Sequence, residues 1–250
     1  MSEPRPHSQP ARVVILKTGT TYPSIREAHG DFEDWFVRGL SAELELTVVN
    51  VEQGELPGEP EQWDGVVVTG SPAMVSDRAD WSENTARWLA RVVDQRIPVF
   101  GVCYGHQLLA HALGGKVGYH PEGRETGTRT IELSAEAQAD PLFNELPRSF
   151  KAQLTHKQSV LALPPGAVLL GRSDFEPHQA FRIGECAWGV QFHPEFSDAV
   201  MTDYLKVQSP DLLAENLDPQ ALLAETEPAP VAASLLQRFS ALVIRNRQGR

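Results

Sequence analysis

Cysteine is scarce in this chain: two residues, Cys103 and Cys186, among 250. That density excludes a disulfide framework and makes a reducing compartment, the cytoplasm, the expected setting. No stretch approaches the roughly 18–20 consecutive apolar residues that a membrane span requires. Met1–Pro10 holds no apolar run of the kind a secretory leader needs. Basic residues are outnumbered, 22 Lys and Arg against 33 Asp and Glu, for a formal net charge of −11. An acidic surface argues against nucleic acid and anionic membrane as partners. No Gly-x-Gly-x-x-Gly or Walker loop is present, and no Cys/His group has the spacing of a zinc site, so neither a cofactor nor a metal is expected. Internal repeats and low-complexity tracts are also missing.

What remains has ordinary globular composition, 41% hydrophobic and 22% charged. In the first half, short β-branched runs alternate with helical patterns. Val13–Leu16, Leu46–Val49, Gly65–Thr69 and Ile97–Val102 read as buried strands. Asp31–Ala42, Ser82–Gln95 and Tyr104–Leu113 read as helices, the last ending at Gly114-Gly115. Continuous apolar strands separated by helices imply a mostly parallel sheet covered on both faces. In the second half, Thr128–Leu133, Ser149–Leu154, Ala167–Gly171 and Gln179–Phe192 are strand-like and suggest antiparallel additions. Ser197–Val207 suits a helix capped by Ser197. An acidic, proline-containing segment spans Ser209–Pro230, and Val231–Arg247 presents one apolar face. The expected division is a domain over residues 1–207 with a helical extension, 208–250, packed on it.

The segment Gly101-Val102-Cys103-Tyr104-Gly105 carries chemistry. A buried strand ends, a cysteine follows with glycine two residues away on either side, and a helix begins. This is the pattern of a nucleophile elbow, Gly-x-Ser-x-Gly, with sulfur in place of oxygen. The sharp turn strains the backbone, and the glycines remove the Cβ atoms that would clash. The helix N-terminus favours thiolate over thiol, and the unpaired Tyr104 N–H is available to a developing oxyanion. Alone, a cysteine at a strand end reads more readily as a small core hydrophobe, as Cys186 does; the flanking glycines and the strand–helix context reverse that for Cys103.

A thiolate needs a histidine to activate it and to protonate the leaving group. Of eight histidines, His193 stands out: it ends the apolar run Trp188–Phe192 and precedes Pro194-Glu195. Residues two apart in extended chain share a side, which sets His193 beside Glu195. The carboxylate would then fix the tautomer and leave the other nitrogen for sulfur. By itself His-Pro-Glu also fits a strand end with a surface carboxylate. His156 is ambiguous, and His106 suits packing better than catalysis.

Together, Gly101–Gln107 and Gln191–Glu195 resemble the class I (triad-type) glutamine amidotransferases. Val102-Cys103-Tyr104-Gly105 looks especially like the glutaminase domain of GMP synthetase. Val68-Thr69-Gly70-Ser71-Pro72 is similar to the family's Ser-Gly-Gly-Pro oxyanion loop, with Ser71 where a second glycine is usual. Lys17–Thr20 and Gly30–Phe36 look like the stand-alone members. The resemblance covers about Val13–Val207. It implies a three-layer α/β/α sandwich with a flavodoxin-like core. It also implies a triad of Cys103, His193 and Glu195, an oxyanion hole from Tyr104 N–H and the Gly70-Ser71 turn, and Gln107 holding the amino-acid end of the substrate. The implied reaction is hydrolysis of the glutamine side-chain amide through a γ-glutamyl thioester, with ammonia passed to an unidentified acceptor and an ammonia-accepting synthase subunit as the implied partner. A γ-glutamyl peptidase would use the same machinery. A non-catalytic binding or regulatory protein on this scaffold would take no label on Cys103 from a glutamine-mimicking diazoketone.

Overall fold

The computed structural model describes residues 9–248. The reading of Met1–Pro10 therefore falls almost wholly outside the described residues. In chain order the strands are β1 (Ala11–Lys17), β2 (Leu44–Asn50), β3 (Gly65–Val68), β4 (Val99–Val102), β5 (Lys116–Tyr119), β6 (Glu125–Leu133), β7 (Ser149–His156), β8 (Gln158–Ala162), β9 (Val168–Arg172), β10 (Ala180–Ile183) and β11 (Ala187–Val190). The α-helices are α1 (Pro23–His29), α2 (Phe32–Gly39), α3 (Asp80–Asp94), α4 (Tyr104–Ala112), α5 (Asp198–Val207), α6 (Ser209–Ala214), α7 (Pro219–Ala224) and α8 (Pro230–Gln248).

Nine strands form one sheet in the order β2-β1-β3-β4-β11-β10-β9-β6-β7. The first five run parallel; from β11 onward each neighbour is antiparallel. The pleat distributes each central strand between two cores. Val13 and Ile15 join one cluster with α2 and α8; Val14 and Leu16 join another with α3 and α4. The helices thus cover both faces, and the expected three-layer, flavodoxin-like sandwich is what forms. A third cluster, from Ile25, Phe32, Trp35, Phe196, Val200, Met201, Tyr204, Leu205, Leu212 and Leu222, gathers α1, α2 and the helices α5–α7.

Several local expectations change. The run Gln179–Phe192 is two strands, β10 and β11, because a turn with Gly184 at φ +59° folds it into a hairpin. The acidic segment after Ser209 holds two short helices, each with proline in its first turn and a leucine, Leu212 or Leu222, buried in the third cluster. The ribbon β5–β8 and helix α1 lacked a readable apolar period. Asp31 caps α2 through a reciprocal capping box with Asp34, and Ser197 Oγ accepts the Val200 N–H at the start of α5. Among the described residues, no helix is long and apolar enough to cross a membrane.

Candidate active site

The carboxyl ends of four adjacent parallel strands deliver the chemistry to one place: Thr18 after β1, Thr69-Gly70 after β3, Cys103 after β4 and His193 after β11. Ligands of open α/β sheets bind at this edge, where loops diverge from the strand ends.

Cys103 joins β4 to α4 with φ +52° and ψ −101°, a conformation that L-residues rarely adopt and that costs about 1–3 kcal/mol. Surrounding structure holds it there: Cys103 N–H donates to Val190 O at 2.9 Å, and Gln107 N–H donates to Cys103 O at 3.1 Å. The flanking glycines are required by space. A methyl on Gly101 would collide with the Gly105 carbonyl, and one on Gly105 would lie 2.5 Å from Val68 O. Both obstacles are backbone and cannot swing aside. Gly101→Ala is therefore expected to lose about 1–3 kcal/mol, lowering the melting temperature by roughly 2–4 °C per kcal/mol. Thermal unfolding of the variant beside the parent checks this, and an unchanged melting point would refute the crowding argument.

His193 lies beyond β11, where it forms an isolated antiparallel bridge with Gln153 and leads into a turn at Pro194-Glu195. Its N–H donates to Gln153 O at 2.8 Å, and Phe196 N–H closes the turn on His193 O at 3.3 Å. That turn brings Glu195 back beneath the ring, with Oε1 at 2.7 Å from His193 Nδ1. The anticipated pairing is present, although by turn geometry and not by strand alternation. Nδ1 then carries a proton that it donates to Glu195, and the buried Nε2 has no hydrogen-bonding partner. Phe196 stacks on the imidazole with ring centroids 4.0 Å apart and planes at 23°.

Burial alone would lower the His193 pKa. The Glu195 carboxylate and the neighbouring Cys103 sulfur outweigh it and raise the value to about 10. The imidazolium is thus favoured at this position. His156, the ambiguous candidate, is also buried but is engaged at both ring nitrogens, by Gln158 O at 3.0 Å and by Glu125 at 2.9 Å. It has no nitrogen left for a substrate. His106 is wholly buried against Phe181 and Gly189, and burial depresses its pKa to about 3, so it stays neutral.

A cavity of about 440 Å³, lined by Cys103, His193, Ser71, Tyr104, Gln107 and others, opens over the sulfur. Its size lies within the range of about 300–1,000 Å³ usual for small-molecule sites. Gly70 lies just behind its wall: a Cβ there would be 3.0 Å from His193 Cε1 and 3.8 Å from Cys103 Cβ. The Tyr104 ring turns away, stacking on Trp81 and bonding Ser82 Oγ at 2.6 Å. Its backbone N–H heads α4. Gln107 donates both amide hydrogens, to Gln158 O at 2.7 Å and Gln191 Oε1 at 3.0 Å, which leaves its oxygen for a ligand. Cys186 is a buried core residue.

Residues not singled out from sequence also line the cavity. Arg124 bonds Glu215 through two nitrogens at 2.8 and 3.0 Å and Gln208 through a third at 2.9 Å. Lys157 reaches the same Glu215 at 2.9 Å. These partners are separated by up to 91 positions, and nothing local in the sequence announces them. Among the described residues, no group of three or more His, Cys, Asp or Glu side chains could hold a metal ion.

The chain is 28% identical over 186 residues to gamma-glutamyl peptidase 5 of Arabidopsis thaliana, covering 72% of this chain and 74% of that protein. It is 32% identical over 185 residues to the glutamine-hydrolysing GMP synthase of Vibrio cholerae, covering 74% of this chain and 32% of the synthase. The fold is similar to that of a glutamine amidotransferase from Thermotoga maritima, with a TM-score of 0.74, 23% identity and coverage of 95% and 99% of the two chains. It also resembles a glutamine amido transferase from Methylobacillus flagellatus, with a TM-score of 0.71, 22% identity and coverage of 96% and 95%. The sequence model described as glutamine amidotransferase class-I matches residues 27–208, and the chain belongs to that family.

Proposed function

We propose that the chain hydrolyses the side-chain amide of glutamine with Cys103 as nucleophile, His193 as acid and base, and Glu195 orienting the imidazole. The observation that carries this reading is the His193–Glu195 bond of 2.7 Å, which leaves Nε2 for the sulfur beside it. In the first half-reaction the Cys103 thiolate bonds to the amide carbon, and the carbonyl electron pair moves to oxygen. The imidazolium protonates the amide nitrogen, the C–N bond breaks and ammonia leaves a γ-glutamyl thioester. In the second, His193 takes a proton from water, hydroxide adds to the thioester and thiolate departs, regenerating the ion pair and releasing glutamate. The N–H groups of Tyr104 and the Gly70-Ser71 turn would face the oxyanion, and the Gln107 oxygen would accept from the substrate's ammonium group.

A second reading is favoured by the Arabidopsis relatives, matched over most of their length. On this reading the leaving group is the amine of a γ-glutamyl peptide. Incubating the purified chain with glutamine and with γ-glutamyl peptides, and measuring ammonia against released amine, separates the two. Turnover of neither, with Cys103 accessible to alkylation, would sink both. If glutamine is the substrate, a synthase subunit taking up the ammonia is the fitting partner, since the match to GMP synthase spans 32% of that enzyme. We place the reaction in the cytoplasm and treat residues 208–250 as an extension of a domain spanning 1–207. Gln208 and Asp211 of that extension reach the cavity wall.

A further inference from the structure

Thr18 and Thr69 are fully buried threonines that do not line the cavity, yet both bond the peptide next to Cys103. Thr69 Oγ1 accepts the Thr18 N–H at 3.1 Å and donates to Gly70 O at 3.0 Å. Thr18 Oγ1 lies 3.0 Å from Gly70 O, 3.0 Å from Thr69 O and 3.1 Å from Thr69 Oγ1. One hydroxyl carries one proton, so Thr18 serves these acceptors in turn while Thr69 keeps its proton for Gly70. The Gly70 carbonyl is thereby drawn into the protein between the ends of β1 and β3. Among the described residues no peptide bond is cis, and in a trans peptide the C=O and the following N–H point in opposite directions. With its carbonyl turned inward, the Gly70–Ser71 peptide presents the Ser71 N–H outward, on the side where Ser71 and Cys103 share the cavity wall.

A second contact backs the same turn. A Cβ on Gly19 would lie 2.6 Å from Ser71 Oγ and 2.7 Å from Pro72 Cδ, so the β1–α1 loop packs directly against it. Ser71 Oγ in turn accepts the Ala73 N–H at 3.0 Å. That bond gives a use to the serine that stands where the family's loop usually has a second glycine.

We propose that Thr18 and Thr69 are positioning residues that lock the Gly70–Ser71 peptide with its N–H facing the reacting carbonyl, so that the oxyanion hole is formed in the isolated chain. This rests on the amide-hydrolase reading above. Flipping the peptide would strip the Gly70 carbonyl of its hydroxyl partners and turn its oxygen toward the thiolate. The latch therefore acts on the transition state and not on substrate binding or on the sulfur.

The test compares Thr18→Val, which is nearly isosteric but lacks the hydroxyl, with Thr18→Ser, which keeps it. Steady-state turnover of the best γ-glutamyl substrate is measured beside the rate at which iodoacetamide alkylates Cys103. Loss of one oxyanion donor lowers kcat by about 10²–10³, and loss of its positioning partner is expected to lower it by about 10–100-fold. KM and the alkylation rate should stay within about twofold, and Thr18→Ser should recover most of kcat. An unchanged kcat in Thr18→Val, or an equal fall in alkylation, overturns the proposal. If Thr18→Val does not fold, Thr69→Val and Thr69→Ser read the same carbonyl through its other bond. Failure of the underlying reading is distinct: the parent chain would then turn over no γ-glutamyl compound although its Cys103 is alkylated.

Discussion

Cys103→Ala is expected to fold as the parent does and to hydrolyse nothing. Removing the nucleophile of a triad costs about 10⁴–10⁶ in kcat, because the remaining groups have no bond to make with the acyl carbon. Alanine keeps the Cβ, so the strained turn at φ +52° is neither relieved nor worsened. The bonds from Cys103 N–H to Val190 O and from Gln107 N–H to Cys103 O are backbone and survive. Melting temperature should therefore change little while turnover disappears. Mass spectrometry after a glutamine-mimicking diazoketone should find an adduct on the parent and none on the variant. Turnover by the alanine variant within tenfold of the parent would remove sulfur from the reaction.

The second large effect is expected from Glu195→Gln. The amide is nearly isosteric but neutral, and it presents a donor as readily as an acceptor to His193 Nδ1. In a comparable triad the equivalent change lowers kcat by about 10⁴ through the wrong tautomer. The pH dependence carries a sharper signature. Burial pulls the His193 pKa down, and the Glu195 carboxylate and Cys103 sulfur more than reverse this, to about 10 against 6.5 for an unperturbed ring. A folded-state pKa above the unfolded one stabilises the fold in full below pH 6.5. That stabilisation is lost as pH rises from 6.5 through about 10. Parent activity should fall along the same alkaline limb as the imidazolium loses the proton it gives to the leaving amine. With glutamine at position 195 the largest attraction is gone. The alkaline limb should move toward neutrality, and the stability slope between pH 6.5 and 10 should flatten. Because the pair is buried, with side chains 3% and 0% exposed, salt should screen it little. An alkaline limb identical in the two proteins would show that Glu195 does not hold the proton on His193.

Much of the fold was legible because its signals are local. The runs Val13–Leu16 and Gly65–Thr69 are apolar without alternation, and only a strand buried on both faces tolerates that. Cys103 was legible for a related reason: glycine at 101 answers crowding by the Gly105 carbonyl, within five residues of chain, whereas glycine at 105 answers the more distant Val68 of β3. Other features were hidden because their causes are distant. The break at 184–186, which folds one apolar run into β10 and β11, depends on pairing with β4 on one side and β9 on the other. The pairing of His156 with Glu125 rests on the β6–β7 register, in which these two residues stand opposite each other. Without it, His156 and His193 could not be ranked by the state of their ring nitrogens.

The sequence by itself determined the alternation of strand and helix, the elbow at Cys103 and the proximity of His193 to Glu195, since each is a matter of neighbours along one short stretch. Only the tertiary structure decided that sulfur and imidazole line the same cavity. The β4–β11 pairing is what sets the end of one strand beside the other, across some ninety residues of intervening chain. It also decided that Arg124 and Gln208 line the cavity, that Glu215 binds Arg124 and that Thr18 bonds Gly70, because hydrogen bonds between distant segments leave no periodic trace for a linear reading to follow.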